Sequence, residues 1–168
     1  MSDSITPVIT AEELYTPAKK EYAETSPGLY RMATAGSLKV SRSQAGNRRL
    51  EVFFKHTDEN NKGLKGVNGK FNLEGQDKNG RSLARNFGDL LAALGVSREA
   101  ITSGAVSVQT ESSLDSIPAD EQWKGVAANI TINGDIADFS GKEVIAKVEA
   151  GFGSSTKPRV GAVYPVRA

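Results

Sequence analysis

At 168 residues, with no cysteine and a net charge of +1, the chain is long enough for one domain with its own hydrophobic core, and it excludes disulfide scaffolds, thiolate zinc sites and thiol nucleophiles together. Residues 1–7 carry no basic and apolar leader pattern, and no window nears the roughly 18 apolar residues of a membrane span, so the expected location is the cytoplasm, with no membrane partner. The 17 glycines, set among 6 Phe, 4 Tyr and 1 Trp, lean toward β structure with many turns.

The small net charge hides a strong segregation. Residues 1–26 hold 2 basic and 5 acidic side chains, residues 27–85 hold 12 and 5, residues 86–150 hold 4 and 10, and residues 151–168 hold 3 and none. A chain so divided can set a basic surface opposite an acidic one and steer polyanions locally; charge scattered over all faces is the alternative.

In chain order, residues 1–26 read as a flexible acidic arm, interrupted by Pro7 and Pro17, and Pro27-Gly28 opens the ordered domain. Over residues 30–40 the apolar Tyr30, Met32, Leu38 and Val40 share one parity, which predicts a long strand that bends near Gly36. After the turn at residues 44–47, Leu50, Val52 and Phe54 alternate with Arg49, Glu51, Phe53 and Lys55, the clearest strand in the chain. A polar loop over residues 58–66 leads to a third strand, where Phe71 and Leu73 alternate with Lys70, Asn72 and Glu74.

Ser82 then caps an expected helix with Leu83, Phe87, Leu90, Leu91 and Leu94 on one stripe and Gly95 at its end. Ser97 starts a second short helix, and residues 102–128, acidic and holding Trp123, read as irregular. Short apolar alternations at 130–132, 144–148 and 160–166 supply the remaining strands. The expectation is a mainly β fold with one or two helices in the order β-β-β-α-β-β. That is an OB-like five-stranded barrel over residues 27–168, with an insertion over 97–128. A plain β-sandwich with one helix is the alternative.

No catalytic constellation stands out. His56 is the sole histidine and reads as a loop residue, no G-x-S-x-G elbow accompanies it, and the residues 77–81 that resemble part of a calcium loop lack its remaining ligands. The glycine-rich residues 151–157 lack phosphate-loop spacing. The expectation is therefore a protein that is not an enzyme, with no cofactor and no metal.

The positive signal is strand parity. If Leu50, Val52 and Phe54 face the core, Phe53 stands outward between Arg49 and Lys55, where a ring can stack on a base for about 1–3 kcal/mol while the cations neutralise phosphates. Arg31, Lys39 and Lys70 turn outward by the same argument, Arg42 and Arg48 flank the first turn, and the last hairpin adds Phe152, Lys157 and Arg159. Burial of Phe53 under the helix is the competing reading.

Four stretches carry a family resemblance: Pro27-Gly28-Leu29-Tyr30, Ser43-Gln44-Ala45-Gly46-Asn47-Arg48-Arg49-Leu50, Leu90-Leu91-Ala92-Ala93-Leu94-Gly95 and Gly141-Lys142-Glu143-Val144. Together they make residues 27–166 resemble the phage single-stranded DNA-binding proteins encoded beside recombination and replication genes. The resemblance implies sequence-independent binding of single-stranded DNA, with recombinase, nuclease, helicase or polymerase as protein partners; the first function in view is coating of the strand, cooperatively or as a homo-oligomer. Many such proteins end in an acidic recruiting tail, whereas this sequence ends Tyr164-Pro165-Val166-Arg167-Ala168. A virion structural or assembly protein, and a protein-directed inhibitor or adaptor using the acidic residues 111–121, are the other functions in view.

Overall fold

The computed structural model describes residues 22–151 and 157–166, the side chains of residues 36 and 37 excepted. Its strands are β1 (Gly28–Arg42), β2 (Arg48–His56), β3 (Val67–Asn72), β4 (Val106–Thr110), β5 (Val126–Ile132), β6 (Asp135–Ile136), β7 (Glu143–Glu149) and β8 (Arg159–Pro165). Two α-helices, α1 (Arg85–Ala93) and α2 (Arg98–Thr102), lie between β3 and β4. The architecture is mainly β with two helices, as the residue pattern predicts.

The length of β1 organises everything else. Its register against β2 shifts between Ala35 and Lys39, and such an irregularity bends a strand. The first half pairs with β7, from Gly28 opposite Val148 to Ala33 opposite Glu143, while Leu38 to Val40 pair with β5. Meanwhile β2 runs antiparallel along β1 and pairs with β3 on its other side, and β8 pairs with β7. A short parallel seam, Asn68 opposite Arg159 and Gly69 opposite Val160, joins β3 to β8.

The pairings thus run β1, β2, β3, β8, β7 and back to β1: a closed five-stranded barrel in OB order, with α1 between its third and fourth strands. Closure sets aside the sandwich alternative. Inside lie Met32, Val40, Leu50, Val52, Phe54, Phe71, Val144 and Val160, and Leu90 and Leu91 of α1, with Leu94 at its C-cap, join the same core. The Phe54 and Phe71 rings meet edge to face at 6.3 Å. Gly69 sits beside them because a Cβ there would lie 2.9 Å from Phe71 and 3.0 Å from Phe54.

Four expectations are corrected. The third strand begins at Val67, before Lys70, because Gly69 and Asn68 hide its alternation. Ser82 does not cap α1: its Oγ accepts from the Ala84 amide, and the helix starts only at Arg85. Residues 102–128 are not irregular, for β4 and β5 pair antiparallel from Val106 opposite Ile132 to Thr110 opposite Ala128, with two 3-10 turns between them. Finally, β5 begins at Val126 because the small Ala128 takes an inward position that an apolar count passes over.

Of the expected flexible arm, residues 22–26 are described, and they dock on the barrel. Ala23 bridges Leu64 in the loop between β2 and β3, and Thr25 is buried there. Residues 1–21 lie outside the described part.

Candidate nucleic-acid interface

The outward side chains of β1, β2, β3 and β8 form rows, because paired residues of neighbouring strands share a face. One row crosses four strands: Ala35, Phe53, Asn68 and Arg159. Beside it runs Lys39, Glu51 and Lys70, and beyond that Ser41, Arg49 and Asn72. On the other side of Phe53, Lys55 faces Ala33. Successive rows are about 7 Å apart, from the two-residue repeat of a strand.

Phe53 is half-buried. Its ring lies against Gly66, where a Cβ would collide with it, so the loop after β2 supports one side of the ring. Small neighbours keep the row open: Ala35 stands on one flank and Asn68 on the other. An aromatic platform braced from behind, with a polar amide beside it, can accept a planar ligand without rearranging.

The cations divide into engaged and available groups. Arg42 donates to the carbonyl of Gly46 at 3.0 Å and to Asp115 at 3.2 Å, so it clamps the first hairpin to the insertion. Arg48 pairs with Glu74 at 3.0 Å while its backbone amide donates to the same carboxylate at 2.8 Å. The Arg48 hydrogen bonds hold the Glu74 carboxyl below its ordinary range, and the same contact raises the guanidinium further above neutrality. These two arginines serve the hairpin end, away from Phe53.

Arg49 donates through Nε to the buried Ser41 hydroxyl at 3.1 Å, which fixes its stem on the face and leaves its terminal nitrogens available. Lys70 stands 4.0 Å from Glu51, Arg159 3.7 Å from Glu149, and Arg31 3.8 Å from Glu143. Such exposed pairs are worth about 0–1 kcal/mol, so a phosphate can displace the carboxylate. Lys39, Lys55 and Lys157 are exposed and have no ion pair among the described residues. Phe152 lies outside the described part, so its position relative to the face is not described.

No family model and no curated protein matches this chain.

Parity therefore brings Lys39, Arg49, Phe53, Lys55 and Lys70 onto one surface and adds Arg159 across the seam, while Arg31 lies around the barrel beside β7. Sequence reading missed Asn68, which extending the Lys70 and Asn72 alternation two residues back would have found. It also left Trp123 without a role. The ring is 60 % exposed, its Nε1 donates to the Asp120 carbonyl at 3.1 Å, and the Lys124 ammonium lies 5.6 Å from its centroid.

Elsewhere, a cavity of about 240 Å³ between the barrel and the insertion is lined by Leu38, Leu90, Ile130 and Phe139, with Glu111 and Asp138 as its charged groups. It has no cation to receive a phosphate. Among the described residues no group of three His, Cys, Asp or Glu side chains could hold a metal ion, and no helix is long and apolar enough to cross a membrane.

Proposed function

We propose that the chain binds single-stranded DNA without sequence preference, in the setting of phage replication or recombination, by phosphate neutralisation and base stacking and with no covalent step. The observation that carries the reading is the row Ala35, Phe53, Asn68, Arg159, flanked by Lys55 on one side and by Lys39 and Lys70 on the other. A ring among cations on the outer face of a closed barrel fits a flexible strand whose bases can turn onto the sheet, whereas a duplex hides its base faces. Asn68 adds a donor and an acceptor suited to any base edge.

In the acidic-adaptor reading Asp115 and Glu121 already face Arg42 and Lys124, which leaves Glu111 and Asp120 to carry the negative charge. Self-assembly has one observation in its favour. Leu29 is 64 % exposed and Tyr164 47 % exposed on the outer side of β1, β7 and β8, and Tyr164 faces Ile145 across the strand pair.

The deciding experiment is fluorescence anisotropy of labelled oligo-dT and of a matched duplex, at low and at near-physiological salt. Tight, salt-sensitive binding of the single strand with the duplex disfavoured is the expected result, weakened in Phe53→Leu, which keeps bulk over Gly66 but has no π-face. If neither DNA binds at low salt the reading is wrong, and sedimentation of the chain alone becomes the test of the assembly reading.

A further inference from the structure

We propose that Trp123 is a second base-stacking position, which carries the bound strand from the barrel face onto the insertion; this rests on the nucleic-acid reading above. Within the insertion, Leu114 is only 6 % exposed while the larger Trp123 is 60 % exposed. The insertion therefore has apolar cover available and leaves the indole outside it.

The ring is also held in place. Its Nε1 hydrogen is engaged by the Asp120 carbonyl within one 3-10 turn, and Lys124 stands over the indole. An exposed, oriented ring presents a face on which a base can stack.

Its placement continues the barrel surface. The turn leads through Gly125 into Val126, which pairs with Val40 of β1. At Gly125 the chains are so close that a Cβ would lie 2.8 Å from the Val40 carbonyl oxygen. A third tie is the 3.2 Å contact between Arg42 and Asp115. Trp123 is thus anchored beside the end of β1, where Ser41 and Arg42 face Arg49 and Arg48. From Phe53 to Arg49 is four residues along β2, about 13 Å at the rise of a strand. On this proposal the two aromatic platforms serve opposite ends of a strip lined by Lys39, Arg49 and Lys70.

Near Trp123 the two cations are already engaged, Lys124 by Glu121 at 3.3 Å and Arg42 by Asp115. Stacking, not counterion release, is what this position contributes. Removing the indole should cost affinity and leave the salt dependence unchanged.

The chain has a single tryptophan, so its emission reports on this position directly. The full chain is titrated with oligo-dT, following Trp123 emission and, in parallel, the anisotropy of a labelled oligonucleotide, with Trp123→Ala and Trp123→Phe alongside. Expected are quenching that saturates with the anisotropy, a loss of roughly 5- to 150-fold in affinity for Trp123→Ala at an unchanged salt slope, and near-complete rescue by Trp123→Phe. If the oligonucleotide binds while the emission does not move and Trp123→Ala binds as the parent does, this proposal is overturned and the barrel-face reading stands. If no oligonucleotide binds by anisotropy even at low salt, both fall.

Discussion

His56 donates its Nε2 hydrogen to the Thr25 hydroxyl across 2.8 Å, a direction fixed by Thr25, whose single hydroxyl hydrogen is engaged by the Lys65 carbonyl, also at 2.8 Å. The tautomer follows from this network: Nδ1 is left bare, buried and without a partner. The Tyr30 ring meets the imidazole edge-on at 5.0 Å. The two Thr25 hydrogen bonds, with the Ala23 bridge to Leu64, fasten residues 22–26 to the barrel.

Burial pushes the His56 imidazole below its ordinary value of 6.5. The folded chain therefore favours the neutral ring, and unfolding takes up a proton below that pH, so the contribution is complete above pH 6.5 and lost as pH falls through the lower folded value. Thermal melts should show Tm falling as pH drops below the ordinary 6.5, with a flatter profile for His56→Gln, which keeps a donor for Thr25. Glu74 and Asp138 do not confuse the window, because hydrogen bonds from Arg48 and from Ser140 hold both carboxyls below their ordinary 4.5 and 3.8. Identical slopes for the two proteins above pH 5 would remove His56 as the cause.

Lys39 and Lys55 stand on the same face as Phe53 without an ion pair among the described residues, whereas Arg48 is held by Glu74. On the binding reading, Lys39→Gln and Lys55→Gln each lower the slope of log affinity against log salt by about 0.7, the value for one phosphate contact on a single strand. Arg48→Gln leaves that slope nearly unchanged. A series of anisotropy titrations at four salt concentrations reads all three, and a slope that drops most for Arg48→Gln would relocate the binding face to the hairpin end.

Much of the barrel was legible because β2 alternates large apolar residues with charged ones, and because the stripe of Leu90, Leu91 and Leu94 announces a helix that must be covered. Parity alone also put Arg49, Phe53 and Lys55 on the face opposite the core. What local pattern does not carry is distance. The pair of Arg42 and Asp115 spans 73 residues, and the seam that closes the barrel is two residue pairs long. Small residues blur the rest: Ala128 in β5 and Gly69 in β3 occupy inward positions, the glycine because a side chain there would meet Phe54 and Phe71, so neither registers as apolar alternation.

Gly69 offers a direct test of the core. Alanine there would bring a methyl carbon to 2.9 Å from Phe71 and 3.0 Å from Phe54, and both rings are fully buried. Overpacking of this kind costs about 1–3 kcal/mol. Gly69→Ala should lower the urea midpoint accordingly with little change in the denaturant slope. A variant as stable as the parent would mean that the two rings can shift apart.

The contact between Arg42 and Asp115 makes the opposite kind of prediction, small for stability and larger for binding. The Asp115 side chain is 78 % exposed, and exposed pairs contribute about 0–1 kcal/mol, so Asp115→Asn should leave Tm almost unchanged. It removes a negative charge beside the end of β1 and leaves the Arg42 charge uncompensated, while the bond from Arg42 to the Gly46 carbonyl still holds the hairpin. If the strand passes this way, Asp115→Asn binds oligo-dT more tightly than the parent and its salt slope steepens by about 0.7, one added phosphate contact. Unchanged affinity at low salt would place the path of the strand elsewhere on the barrel, away from the insertion.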